Sequence, residues 1–133
     1  MDPLTTILLC SNSADTVELS RYLEKEGIRA ELFPTLDKAL PRFESGRFDT
    51  LLLVLAGNDS DKEQLEKLSV VKKLDPDLPV VAVSENDSIE LERQARLEGI
   101  FYYLVQPVDQ WELLEVLRQS TRFRLRRIKR RGK

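Results

Sequence analysis

The side chains best placed to do chemistry are the ones that follow apolar runs. Four such stretches stand out: Ser11-Asn12-Ser13, Val54-Leu55-Ala56, Ser84-Glu85-Asn86 and Val105-Gln106-Pro107. Hydroxyls and amides dominate them, which are neutral hydrogen-bonding groups rather than nucleophiles or bases. Two acids, Asp59 and Asp61, come after the second stretch, at an offset that turns them to solvent or to capping the next helix. The chain has no histidine, so the commonest general base and the commonest metal ligand are both missing. Its one cysteine, Cys10, sits inside an apolar run and has no internal disulfide partner. It reads as a buried thiol. From this inventory we expect no enzyme, no catalytic residue, no cofactor and no metal ligand.

The elements that position these stretches follow from periodicity. Five short apolar or β-branched runs read as strands over 6–11, 29–33, 50–55, 79–84 and 101–105. The first, third and fourth are apolar nearly throughout, as strands covered on both faces are, while the second alternates as an edge strand does. Helical segments lie between them. Leu19, Tyr22 and Leu23 mark one over 14–26, stopped by Gly27. Leu36, Leu40 and Phe43 mark a second over 35–45, which Pro41 must kink or shorten. Leu65, Leu68, Val71 and Leu74 mark a third over 61–74, opening at a Ser60/Glu63 capping box. A fourth spans 88–98 after Asp87, and a last one opens at Asp109. Strict alternation of strand and helix predicts an α/β fold. It takes the form of a (βα)5 doubly wound, parallel five-stranded sheet with helices on both faces. In such sheets ligands sit beyond the carboxyl ends of the strands, where the four stretches fall.

These residues carry a resemblance. "ILLCSNSAD", "FDTLLLVLAG", "LPVVAVS" and "GIFYYLVQP", in this order and spacing, resemble the receiver domain of two-component response regulators over residues 5–120. The resemblance implies a flavodoxin-like strand order 2-1-3-4-5. It also assigns roles to positions. The metal-binding acidic pair falls on Ser11 and Asn12, the phosphoacceptor aspartate on Val54, the switch hydroxyl on Ser84, the lysine on Gln106 and the switch aromatic on Tyr103. Only Ser84, Tyr103 and the proline after Gln106 keep the family's type.

Those departures remove the family's chemistry. Valine has no oxygen to accept a phosphoryl group. Serine and asparagine offer Mg²⁺ neutral oxygens but no charge. Glutamine donates a hydrogen bond but does not neutralise a transferred phosphate as lysine does. The pocket therefore reads as a degenerate phosphorylation site, with Val54 filling by apolar packing the place of a charge cluster. The expected role is a phosphorylation-independent, receiver-like module in a two-component-type pathway, acting by protein–protein contact. The resemblance places the docking face over Ile89–Arg96, Tyr103 and Trp111–Arg118. Trp111 reads slightly better as a cover for the helix–sheet seam than as an interface anchor. A different class of reading is a small-molecule sensor using Ser11, Asn12, Ser84 and Gln106 as neutral donors.

Charge is unevenly placed. The net is −2, yet residues 120–133 hold eight basic side chains and no acid, while the other 119 residues carry −10. We divide the chain into a domain over 1–120 and a basic helical extension over 121–133. Leu114, Leu117, Thr121, Leu125 and Ile128 keep helical spacing into that extension. The extension reads as a dimer seam or connector, as a solvated end, or as a contact for nucleic acid or an anionic membrane. The last would act through Arg122, Arg124, Arg126, Arg127, Lys129, Arg130 and Arg131. In sequence these cations fall on all sides of a helix, which counts against docking by one face. The partner is then a protein or a second copy, with nucleic acid the lesser alternative. No stretch approaches the roughly 20 apolar residues of a membrane span, and "MDPLTTILLC" has no export-signal pattern, so we expect a cytoplasmic location.

Overall fold

The β-branched and leucine-rich runs pair side by side into one sheet. The structure is a computed structural model that describes residues 5–10, 16–45, 48–57, 59–85 and 87–131. The strands are β1 (Thr5–Cys10), β2 (Ile28–Phe33), β3 (Thr50–Leu55), β4 (Val80–Ser84) and β5 (Tyr102–Val105). They are parallel and lie in the order β2-β1-β3-β4-β5. The helices are α1 (Thr16–Lys25), α2 (Leu36–Ala39), α3 (Arg42–Ser45), α4 (Ser60–Glu66), α5 (Leu68–Leu74), α6 (Ile89–Leu97) and α7 (Gln110–Arg131). The α/β fold with a parallel sheet, expected from the alternation, is the one observed.

Successive residues of a strand face opposite sides, so β3 feeds two cores. Leu51, Leu53 and Leu55 pack with Leu36, Leu65, Leu68, Val71, Leu91 and Ala95 under α2, α4, α5 and α6. Leu52, with Val54 half-buried beside it, packs on the other face with Leu23 of α1 and Leu113, Leu114, Val116 and Leu117 of α7. Each fully buried leucine contributes about 1.5–3 kcal/mol of transfer free energy. The two layers are thus what fixes the register of the strand ends.

Several helices depart from the expected spans. The 35–45 segment breaks at Leu40-Pro41 into α2 and α3, because proline lacks the N–H that would continue the ladder. Thr35 caps α2 by accepting a hydrogen bond from the Lys38 N–H. The 61–74 segment is also two helices, α4 and α5, meeting at Lys67. The capping box expected at Ser60 is not formed: Ser60 is the first helical residue, and Asp59 precedes it without a side-chain cap bond. In α6 the cap is Ser88, not Asp87, its hydroxyl accepting from the Leu91 N–H. At α7 the cap is where the sequence placed it. The Asp109 carboxylate accepts from the Trp111 and Glu112 N–H groups at 2.7 and 3.3 Å.

Candidate functional site at the strand exits

The register of β3 and β4 sorts the exit residues onto two faces. Val54 pairs with Val83 and Leu55 with Ser84. Val54 and Val83 therefore share the α1/α7 side, and Ser84 shares the other side with Tyr103. A cavity of about 190 Å³ opens on the first side, between α1, the 106–108 turn and the start of α7. Its floor is apolar, formed by Val54, Val83, Leu19 and Leu113, and Glu18 and Glu85 stand among its other walls. Gln106 also lines it, but its side-chain oxygen is taken by the Val108 N–H at 3.0 Å. The peptide bond between Gln106 and Pro107 is cis.

Of the four neutral donors expected to converge, two are described, and only Gln106 lines this cavity. Ser84 is fully buried and lines no wall of this cavity. Ser11 and Asn12 lie outside the described residues. Among the described residues, no group of three or more histidines, cysteines, aspartates or glutamates is placed to hold a metal ion. Of the two acids beyond β3, Asp61 is buried rather than turned to solvent. Its carboxylate accepts a hydrogen bond from the Gly57 N–H at 3.0 Å and so ties down the strand-exit turn, where Gly57 has a positive φ of 83°.

Of the two aromatic residues assigned to the docking face, Tyr103 is buried and Trp111 is exposed. Tyr103 is 8% exposed and packs in the core under α6. Its hydroxyl is buried and finds no hydrogen bond of ordinary geometry. Burial raises its pKa, and the Ser84 hydroxyl nearby acts in the opposite sense. Trp111 is 68% exposed and does not cover the helix–sheet seam. Leu113, Leu114 and Leu117 do that, because they lie on the inward side of α7. The exposed apolar side chains of this region are Ile89 and Leu97 on α6, Tyr102 on β5 and Trp111 on α7.

No break marks the expected boundary at residue 120. α7 runs unbroken through it, and its C-terminal half is bonded to the domain. Ser120 is fully buried. It donates to the Leu117 carbonyl, so the 2.5 Å contact with Thr50 has the Thr50 hydroxyl as donor. Arg124 is 3% exposed and bonded to Asp75. Arg127 lies 3.7 Å from Asp77 and stacks over Phe123, which itself packs on Phe101. The two aspartates were the partners that sequence reasoning missed. The signal was present in "LDPDLP": two acids beside a strand start, level with the end of a long basic helix.

Comparison with known proteins then identifies the fold's relatives. No protein-family model matches the sequence. The heme response regulator HssR of Staphylococcus saprophyticus is 27% identical over 113 residues, 84% of this chain and 49% of that protein. The DNA-binding transcriptional regulator NtrC of Proteus hauseri is 28% identical over 102 residues, 77% of this chain and 21% of that protein. A CheY-like response regulator receiver domain protein from Methanospirillum hungatei superposes with a TM-score of 0.83 at 25% identity, covering 94% of this chain and 99% of its own. The chain has the CheY-like receiver fold. It spans about half the length of HssR and about a fifth of NtrC, so what the chain shares with them is one part of each. Among the described residues, no helix is long and apolar enough to cross a membrane.

Proposed function

We propose that this receiver domain signals by protein docking, without phosphoryl transfer at its strand-exit pocket, within a two-component-type regulatory system. The observation that carries the reading is the cavity floor. Where the family resemblance puts the phosphoacceptor, Val54 lies beside Val83, Leu19 and Leu113, and a valine has no oxygen to attack phosphorus. Gln106, at the lysine position, spends its side-chain oxygen on the Val108 N–H. A docking role is supported by the unpaired apolar side chains Ile89, Leu97, Tyr102 and Trp111 on α6, β5 and α7, since exposed aromatic and aliphatic anchors are what interfaces use. Tyr103 itself is turned inward and is not one of these anchors.

The test is NMR of the full chain in Mg²⁺ with beryllofluoride or acetyl phosphate. We expect the amides of Val54, Ser84 and Gln106 to stay where they are. Saturable shifts clustered on those residues would overturn the reading.

A further inference from the structure

Among the described side chains, the cations of the C-terminal helix fall into two sets. Arg124 and Arg127 point at the domain and are engaged by Asp75 and Asp77. Arg118, Arg122, Arg126, Lys129 and Arg130 are exposed, and none of them forms an ion pair with a described residue. At 3.6 residues per turn these five fall within about 120° of the helix circumference, and at 1.5 Å per residue they extend over about 18 Å. Of these described cations, the inward ones hold the fold and the outward ones form a single stripe.

We propose that this stripe is a docking surface for duplex DNA, gripped through its phosphates without base readout. The physics of the face selects the partner. A bilayer takes a basic helix only when the opposite apolar face is free to enter it. Here Leu113, Leu114 and Leu117 are already buried on the sheet. Single-stranded nucleic acid needs aromatic platforms, and the one aromatic in this half of the helix, Phe123, is packed on Phe101. A protein partner needs a desolvated apolar core to its interface, and between Arg118 and Arg130 the stripe has apolar side chains only at its two edges, Leu125 and Phe123, the latter packed on Phe101. A second copy pairing stripe to stripe sets cation against cation. What remains is a stiff, regular row of unneutralised charges, suited to a stiff, regular row of phosphates. The rest of the chain carries a net −10 over residues 1–119, so the acidic body is held off the duplex and contact is confined to this helix. The proposal is independent of the docking reading of α6, β5 and the start of α7.

The test is fluorescence anisotropy of the full chain with a labelled duplex of arbitrary sequence. Four or five phosphate contacts predict a loss of affinity of about 150- to 500-fold between about 50 and 200 mM salt. Arg122→Glu with Arg126→Glu should abolish binding, and the Arg122→Lys, Arg126→Lys pair should keep it. An Arg93→Glu, Arg96→Glu pair on α6, with the same change in net charge, should weaken it only slightly. Thermal melts of all variants check that each is folded. Absence of duplex binding at the lower salt, a flat salt response, or equal losses from the α6 and α7 pairs would each overturn the proposal. Tighter binding to vesicles of anionic lipid than to the duplex would overturn it as well.

Discussion

The Arg124 guanidinium reaches both carboxylate oxygens of Asp75, at 3.0 and 2.9 Å, across a separation of 49 residues. This pair fastens the far end of α7 to the segment between α5 and β4, next to the Thr50–Ser120 hydroxyl contact. Breaking a fully buried ion pair costs about 3–5 kcal/mol, because one charge is left without compensation. The Asp75 side chain keeps 22% of its exposure, so water offsets part of that cost. Arg124→Met should lower stability by about 2–3 kcal/mol in urea unfolding. Asp75→Asn added to it should recover part of the loss. Truncation after residue 120 should destabilise at least as much, since it also removes Phe123 from Phe101. A truncated chain as stable as the full one would show the extension to be a loose tail.

Tyr103 buries a hydroxyl with no hydrogen bond of ordinary geometry. A buried polar group in that state costs free energy that its removal returns. Tyr103→Phe should therefore leave stability unchanged or raise it by up to about 1 kcal/mol at neutral pH. A loss greater than that would mean that the contact with Ser84 is a working hydrogen bond. The pH dependence has a definite sign. The folded pKa of Tyr103 is raised, chiefly by burial. Its contribution is full below the unfolded value near 10 and is lost as pH rises through the folded one. Alkaline unfolding should begin at higher pH in Tyr103→Phe than in the parent.

The strands were legible because three of the five runs are too apolar to lie anywhere but between two layers of helix. The splitting of the 61–74 helix at Lys67 was not. Nothing local forbids a continuous helix there, and the residue at the break pairs with Asp37, which is distant in sequence. At the site, the apolar identity of the Val54 position was readable from residue type alone. The inward turn of Tyr103 was not, because strand alternation fixes which two faces residues 102 and 103 take but not which face is covered. Trp111 was misplaced for the same reason: helical spacing marks a stripe, and the stripe that won was the leucine one. The roles of Arg124 and Arg127 needed the aspartates of another segment, which no spacing within the helix can reveal.

Glu31 on β2 accepts two hydrogen bonds from Arg42, at 2.9 and 2.6 Å. The Arg42 hydrogen bond, more than any other influence, holds the Glu31 pKa below the usual carboxylate value. A lowered folded pKa stabilises the fold above the unfolded value and ceases to do so as pH falls through the folded one. Glu31→Gln should lower the urea midpoint slightly at pH 7, well short of the effect of a core substitution, because the pair is partly exposed. The two midpoints should converge below about pH 4, where the parent's carboxylate also loses its charge. A gap that persists unchanged into acid would assign the effect to packing rather than charge.

Val54→Asp places a carboxylate on an apolar floor with Glu18 and Glu85 among the other walls of the same cavity. Partial burial and two like charges both disfavour the ionised form. The introduced acid should therefore have a raised pKa and cost about 1–3 kcal/mol at pH 7. Because its folded pKa exceeds the unfolded one near 3.9, the penalty is present at neutral pH and fades as the solution is acidified toward that value. Urea unfolding at about pH 7 and pH 4.5 measures the difference, with the same comparison for Val54→Asn as the uncharged control. The asparagine variant should show a smaller loss that does not change with pH. If Val54→Asp is as stable as the parent at neutral pH, then the pocket holds a counter-charge for it, and the account of an apolar floor is wrong.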